Sequence, residues 1–253
     1  MKHFVIPDCQ VKPDVPLDYL EWVGRYIVDQ KPDVIVQIGD FADLPSLSSY
    51  DVGKKSFEGR RYIKDIKVVH EAMEKLLSPI KEFNFRARKN KEKQYRPRMV
   101  LTHGNHENRI TRVIESDPKL DGTLDISDLQ YASFGWEEVE FLKPIIIDGI
   151  AYCHYFTSGV LGRPVSSARN LVIKKHMSCV QGHVQHWEMH REVRADEYPI
   201  IGLFVGSCYL HNEDYLGRQG NNYWRGVWVL NEVKEGDFQP MPVSLNFLRD
   251  KYG

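Results

Sequence analysis

At 253 residues the chain has room for one domain with a sizeable core or for two small ones. Hydrophobic residues make up 42% and charged residues 27%, an ordinary globular balance, and a net charge of −1 excludes a global pull toward nucleic acid or an anionic membrane. The apolar run over 200–205 is far too short to span a bilayer, so no membrane partner is expected.

The chain opens with a short apolar run, residues 3–6, ending at Pro7-Asp8. It lacks the longer apolar core and small-residue cleavage site of a secretory signal, so a cytoplasmic protein is expected. Leu17, Leu20, Val23 and Ile27 predict a helix over 17–28, and residues 34–38 predict a strand stopping at Gly39-Asp40. Tyr62, Ile66, Val69, Met73, Leu76, Ile80 and Phe83 step by threes and fours, as on one long amphipathic helix. Residues 99–101 read as a strand ending at His103-Gly104-Asn105. Asp148-Gly149 between two apolar runs signals a tight hairpin. A helix is expected over 163–176, then a strand over 178–181 ending at Gly182-His183. Further strands are expected near 187–194, 200–208 and 223–233, with a turn at Glu235-Gly236. The order implies an α/β fold of two packed mixed β-sheets flanked by helices, with a β-rich C-terminal half. Cys9, Cys153, Cys179 and Cys208 form no C-x-x-C pair and lie in or beside apolar runs, which reads as small buried thiols.

Several predicted strands end in polar clusters: Asp8-Cys9-Gln10, Gly39-Asp40, Gly104-Asn105-His106, His154 and Gly182-His183. Ligand sites of α/β proteins gather at the carboxyl ends of strands. Singly, each cluster is an ordinary turn or cap; their number, type and order raise their weight.

That order resembles the calcineurin-like metallophosphoesterase superfamily, whose motifs run D-x-H, G-D-x-x-D, G-N-H-[DE], a separate His, and G-H-x-H. The matches are Asp8-Cys9-Gln10, Gly39-Asp40-Phe41-Ala42-Asp43, Gly104-Asn105-His106-Glu107, His154 and Gly182-His183-Val184-Gln185, spanning residues 4 to 185. GDFAD and GNHE are intact. The overall texture is also similar to bacteriophage-encoded members. The resemblance implies a four-layer α/β/β/α sandwich in a single domain over 1–253, with a helical and basic insertion at about 45–98. It implies hydrolysis of a phosphate ester by a hydroxide on two divalent cations, which ~3.5–4 Å apart neutralise the anionic substrate. Asp40 would bridge them, Asp8 and Gln10 would serve the first, and Asn105, His154 and His183 the second. His106 would act on the substrate from the side, oriented by Asp43. Glu107 reads more simply as an acidic residue favouring the dipole of a helix that begins near His106.

The sequence departs from the pattern twice: Gln10 and Gln185 stand where the family has histidines serving the same metal. Asp8, Gln10, Asp40 and Gln185 then offer only oxygen donors, which suit manganese or magnesium better than zinc. His154 and His183 form a tighter, nitrogen-rich site open to manganese, iron or zinc. Manganese is the expected best activator. His186, one residue beyond the motif position, is the alternative ligand.

Substrate signals are weaker. Seven Lys or Arg crowd residues 86–98, which read as a solvated basic loop or as a phosphate-tracking patch at the mouth of the site. Lys54, Lys55, Arg60 and Arg61 add charge, Arg163 and Arg169 are candidate substrate contacts, and Tyr209, Tyr215 or Tyr223 could stack a base. The expected activity is a phosphodiesterase or nuclease on nucleotide or nucleic acid. A phosphomonoesterase and a non-catalytic metal-binding scaffold are the alternatives.

Overall fold

The computed structural model describes residues 1–213 and 217–253. Its strands are β1 (His3–Ile6), β2 (Val34–Gln37), β3 (Arg98–Thr102), β4 (Glu137–Val139), β5 (Ile145–Ile147), β6 (Ile150–Cys153), β7 (Thr157–Ser158), β8 (Arg163–Pro164), β9 (Ser178–Gln181), β10 (Trp187–Val193), β11 (Pro199–Val205), β12 (Gly226–Lys234) and β13 (Asp237–Ser244). Its helices are α1 (Asp18–Gln30), α2 (Tyr62–Lys89), α3 (Asn108–Ser116), α4 (Ala168–Lys175), α5 (Gly217–Gly220) and α6 (Leu245–Tyr252). A six-stranded sheet has the order β13-β12-β1-β2-β3-β4, and a five-stranded sheet the order β10-β11-β9-β6-β5.

Alternation along the strands builds the layers. Phe4 and Ile6 of β1 face a core shared with α1, α2 and α6, while Val5 faces the other sheet. Ile35 and Leu101 follow Phe4; Val34, Val36 and Val100 follow Val5. In the second sheet Ile150, Tyr152 and Val180 face inward, while Ala151, Cys153 and Cys179 face Leu171 of α4. A period of two with both faces apolar requires cover on both sides. The result is two mixed sheets packed face to face with helices outside each.

The long amphipathic helix belongs to this core. Ile66, Val69, Met73 and Leu76 of α2 share one cluster with Leu20, Val23 and Ile27 of α1. Burying each such side chain is worth roughly 1.5–3 kcal/mol. The helical part of 45–98 is therefore structural, and the preceding segment forms surface loops and short 3-10 turns.

Three expectations are corrected. The helix expected over 163–176 starts at Ala168, because the Ser167 side chain accepts from Asn170 N and caps it there, leaving Arg163–Pro164 in a short hairpin with Thr157–Ser158. The strand expected from 223 starts at Gly226. The basic segment is not at the mouth of the site. Its first part continues α2 to Lys89, where cations suit a helix C-terminus. Tyr95 then bonds Pro32 O, and Arg98 N bonds Asp33 O at the amino ends of the strands. With 28 residues, α2 carries this segment roughly 42 Å from its own first turn.

All four cysteines are buried and free. Among the described residues no helix is long and apolar enough to cross a membrane.

Candidate metal centre

Parallel strands deliver the polar residues to one end of the sandwich. Asp8, Asp40 and Asn105 follow β1, β2 and β3 by at most three residues; His154 and His183 follow β6 and β9 by at most two. The two sheets touch here, where Cys208 N donates to Asp8 O at 2.7 Å.

One ligand atom from each of Asp40, His154 and His183 lies within 4.8 Å of the others, a grouping able to hold a cation. His154 Nε2 is 3.2 Å from Asp40 Oδ2. Asn105 Oδ1 lies 3.0 Å from His154 Nε2 and 2.8 Å from His183 Nδ1. His154 Nδ1 faces Ile38 O at 3.0 Å, which orients the ring and leaves Nε2 for the site. Asp8 is fully buried, with both carboxylate oxygens 3.1 Å from His183 N.

The electrostatics describe a place for positive charge. Burial raises the Asp8 carboxyl to about 7, and the nearby Asp40 charge also raises it. Burial opposes ionisation of Asp40 too, yet His106 and His154 hold its carboxyl below the usual range. Burial disfavours a charged His154, but Asp40 overrides this and lifts it to about 9. His183 is depressed to about 4 by burial and by His154, so it presents a neutral imidazole. Buried carboxylates, neutral imidazole and amide oxygens together fit a divalent cation.

Backbone shape is specialised as well. Gln10, Asp40, His183 and Gln185 have φ of 43°, 51°, 69° and 59°. Left-handed backbone costs a non-glycine residue roughly 1–3 kcal/mol and clusters at functional sites. The motif glycines make room: a Cβ on Gly104 would sit 2.1 Å from Asp40 Oδ1, and one on Gly182 would sit 2.4 Å from Asp8 Oδ1.

Beside this cluster His106 is 6% exposed. Its Nδ1 meets Asp43 Oδ1 at 2.8 Å, and its Nε2 stands 3.7 Å from Asp40 Oδ2. Burial lowers its pKa, but Asp40 and the Asp43 bond outweigh that and raise it above the ordinary value. Arg109, in the first turn of α3, was missed by sequence reasoning. Its Nη1 donates to Asp43 O at 2.7 Å, and its Nη2 is 3.4 Å from His106 Nε2. Its place three residues after His106, across the turn that opens α3, was the available signal.

Glu107 does not serve the helix dipole as expected; its side chain turns inward and is wholly buried. Oε2 accepts from Asp40 N at 3.0 Å and Gly104 N at 2.8 Å, and Oε1 accepts from Ala42 N at 2.9 Å and Tyr131 OH at 3.2 Å. One carboxylate thus fastens the GDFAD loop to the GNHE loop.

Gln185, 5% exposed, lines the cavity over the cluster and accepts from Tyr209 OH at 2.6 Å. His186 turns the other way, against Phe204 and Tyr223, with Nε2 3.8 Å from Glu188 Oε2. Gln10, Asp40, Asn105, His106 and His183 open on a cavity of about 1040 Å³. Arg163 and Arg169 are exposed elsewhere and are not among its lining residues. Tyr209 is buried and engaged, and Tyr223 packs on His186. Tyr215 lies outside the described residues.

Comparison with known proteins adds little. No family model matches the chain, and no curated protein does. Among the solved structures that align with it, one covers 96% of this chain and 99% of its own at 12% identity, with a TM-score of 0.36, a likeness too distant to bear on function.

Proposed function

We propose that this chain is a divalent-metal-dependent phosphoesterase of the calcineurin-like kind, acting on a phosphodiester of a nucleotide or nucleic acid. The observation that carries this reading is the joint placement of Asp8, Asp40, Asn105, His154 and His183 at one strand-end cluster, with a buried His106–Asp43 pair beside it. Asp40, Asn105, His154 and His183 would hold one ion; Asp8, Gln10, Asp40 and Gln185 would hold the other. The chemistry such ions supply is neutralisation of phosphate charge and activation of a water.

The protein's own groups do the rest. His106 Nδ1 donates to Asp43, and the Asp40 and Asp43 carboxylates favour the doubly protonated ring, whose Nε2–H is then placed for a leaving oxygen. Arg109 is placed to meet a phosphate oxygen at the same spot. The preference for a nucleotide or nucleic acid rests on another part of the same cavity wall. Tyr50, Lys54, Arg60, Arg61 and Lys64 line it. Lys54 and Arg60 pair with Asp51, whereas Arg61 and Lys64 make no ion pair among the described residues. Tyr50, 78% exposed, is a ring free to stack.

Two tests follow. Manganese at 100 times its dissociation constant stabilises a folded site by about 2.7 kcal/mol, a rise in Tm of roughly 5–10 °C at this chain length. Asp40→Asn should lose this rise. Gln185→Ala should lose only the weaker phase of metal binding, and His186→Ala neither. Loss of that phase in His186→Ala alone would overturn the all-oxygen site. Hydrolysis of an aryl phosphodiester, compared with the monoester, tests the activity: metal binding without turnover of either would mark a scaffold, and preference for the monoester would mark a monoesterase.

The second test addresses the wall. Reversing Arg61 and Lys64 to Glu should raise KM for a single-stranded oligonucleotide. It should also flatten the salt dependence of oligonucleotide binding by more than one unit of log–log slope, at ~0.7 per phosphate contact. Turnover of a small aryl diester should stay within about two-fold, since neither side chain reaches His106. An unchanged salt slope would remove nucleic acid from the reading.

A further inference from the structure

Asp43 is gripped on both oxygens, and the grip on the second comes from residues that no motif includes. Val11 pairs with Ala42, with Val11 N donating to Phe41 O and Asp43 N to Val11 O, each at 2.8 Å. This register buries Val11 in the core and points Lys12 into the cavity beside Asp43. The Lys12 ammonium lies 3.4 Å from Asp43 Oδ2 and 2.7 and 2.8 Å from the two oxygens of Glu213. Glu213 is itself 4% exposed and held from behind. Its Oε1 is 2.6 Å from His211 Nε2, and its backbone N donates to Asn221 Oδ1 at 2.7 Å. His211 stacks on Tyr209, which bonds Gln185. On the other side Asp43 Oδ1 takes His106 Nδ1 and Arg109 Nη1.

We propose that Lys12, braced by Glu213, is a positioning residue for His106. A carboxylate has a broad, two-fold torsion about its last bond. With one oxygen free, Asp43 could turn away from the imidazole. A cation on Oδ2, opposite the one that receives His106, fixes the plane. Holding a partly buried lysine between two nearly buried carboxylates is a poor route to stability, since desolvation offsets part of the attraction. The arrangement is better explained by geometry: it ties the segment after β1, the GDFAD loop and the loop at 209–213 to one imidazole. The catalytic part of this inference rests on the phosphoesterase reading; the positional part does not.

Lys12→Met, Lys12→Arg and the charge-balanced double variant Lys12→Met/Glu213→Gln test it. The first readout needs no activity. The His106 Nδ1–H proton, seen by NMR at low field while bonded to Asp43, should broaden or vanish in Lys12→Met and return in Lys12→Arg. The second readout is kinetic, with manganese saturating. Turnover of a diester with a poor alkoxide leaving group should fall about 10–100-fold in Lys12→Met, as is typical when an orienting partner is removed. KM and turnover of a p-nitrophenyl diester, which needs little protonation, should change less than three-fold. The double variant should behave like Lys12→Met while keeping its manganese content. An unaltered proton signal, or equal losses on both leaving groups, would overturn the proposal. Absence of turnover by the wild type on every diester would instead remove the phosphoesterase reading, and the NMR result would still decide the positioning role.

Discussion

Asparagine in place of His106 is expected to lower turnover of a phosphodiester by about 10²–10⁴-fold, the usual worth of a positioned acid or base. Manganese content should hardly change. The ring makes no contact that defines the cation grouping: its nearest approach to Asp40 Oδ2 is 3.7 Å, and Asp40 is independently held by His106 N, a backbone donor that asparagine retains. The loss should shrink as the leaving group improves, because a stable anion needs no proton. Asp43→Asn should give a smaller loss of the same pattern, since it keeps a side chain beside Nδ1 but replaces the carboxylate with a neutral amide. Full activity of His106→Asn on a diester with a poor leaving group would refute the role assigned here.

Glu107→Ala should do comparable damage by another route. The substitution strips acceptors from three buried backbone donors, Asp40 N, Gly104 N and Ala42 N, and from Tyr131 OH. An orphaned buried donor costs about 1–3 kcal/mol. Partial relaxation brings the sum to on the order of 4 kcal/mol, at the severe end for one substitution. At this chain length that is a drop in Tm of roughly 8–16 °C. Manganese affinity should fall as well, although Glu107 is not a ligand, because the loops carrying Asp40 and Asn105 lose their common fastening. Glu107→Gln, which keeps one oxygen, should fall between. A Glu107→Ala protein with unchanged Tm and metal affinity would show that the two loops hold themselves.

The layers were legible because short continuous apolar runs at β1, β2, β6 and β9 mark strands covered on both faces, and the helical stripe of α2 needs only a period of 3.6. Asp8, Asp40, Asn105, His154 and His183 were legible as candidates because each follows a recognisable strand. The geometry shows them together. Glu107 was misread because a residue at a helix start has two uses, and only the position of the GDFAD loop decides which. Lys12 and Glu213 were invisible for a related reason: their pairing spans 201 positions, and neither has a local pattern to betray it. The basic tract near 86–98 left two readings open, solvated segment or patch at the mouth, because composition records charge and not the direction in which a long helix carries it; its exposed side chains, away from the site, fit the first.

The bond from Cys208 N to Asp8 O, where the sheets meet, has a kinetic meaning. Residues that would share one ion come from both sheets, at positions 40 and 105 on one and 154 and 183 on the other, so neither sheet alone contains the complete site. Contacts this distant in sequence are the slow ones in folding, because loop closure precedes any gain from them. Capture of manganese during refolding should therefore trail the recovery of helical signal and coincide with the burial of Trp228, which lies between the sheets. Stopped-flow traces with fluorescence and metal-indicator readouts would show that order, and metal uptake preceding tryptophan burial would mean the centre assembles on one sheet alone.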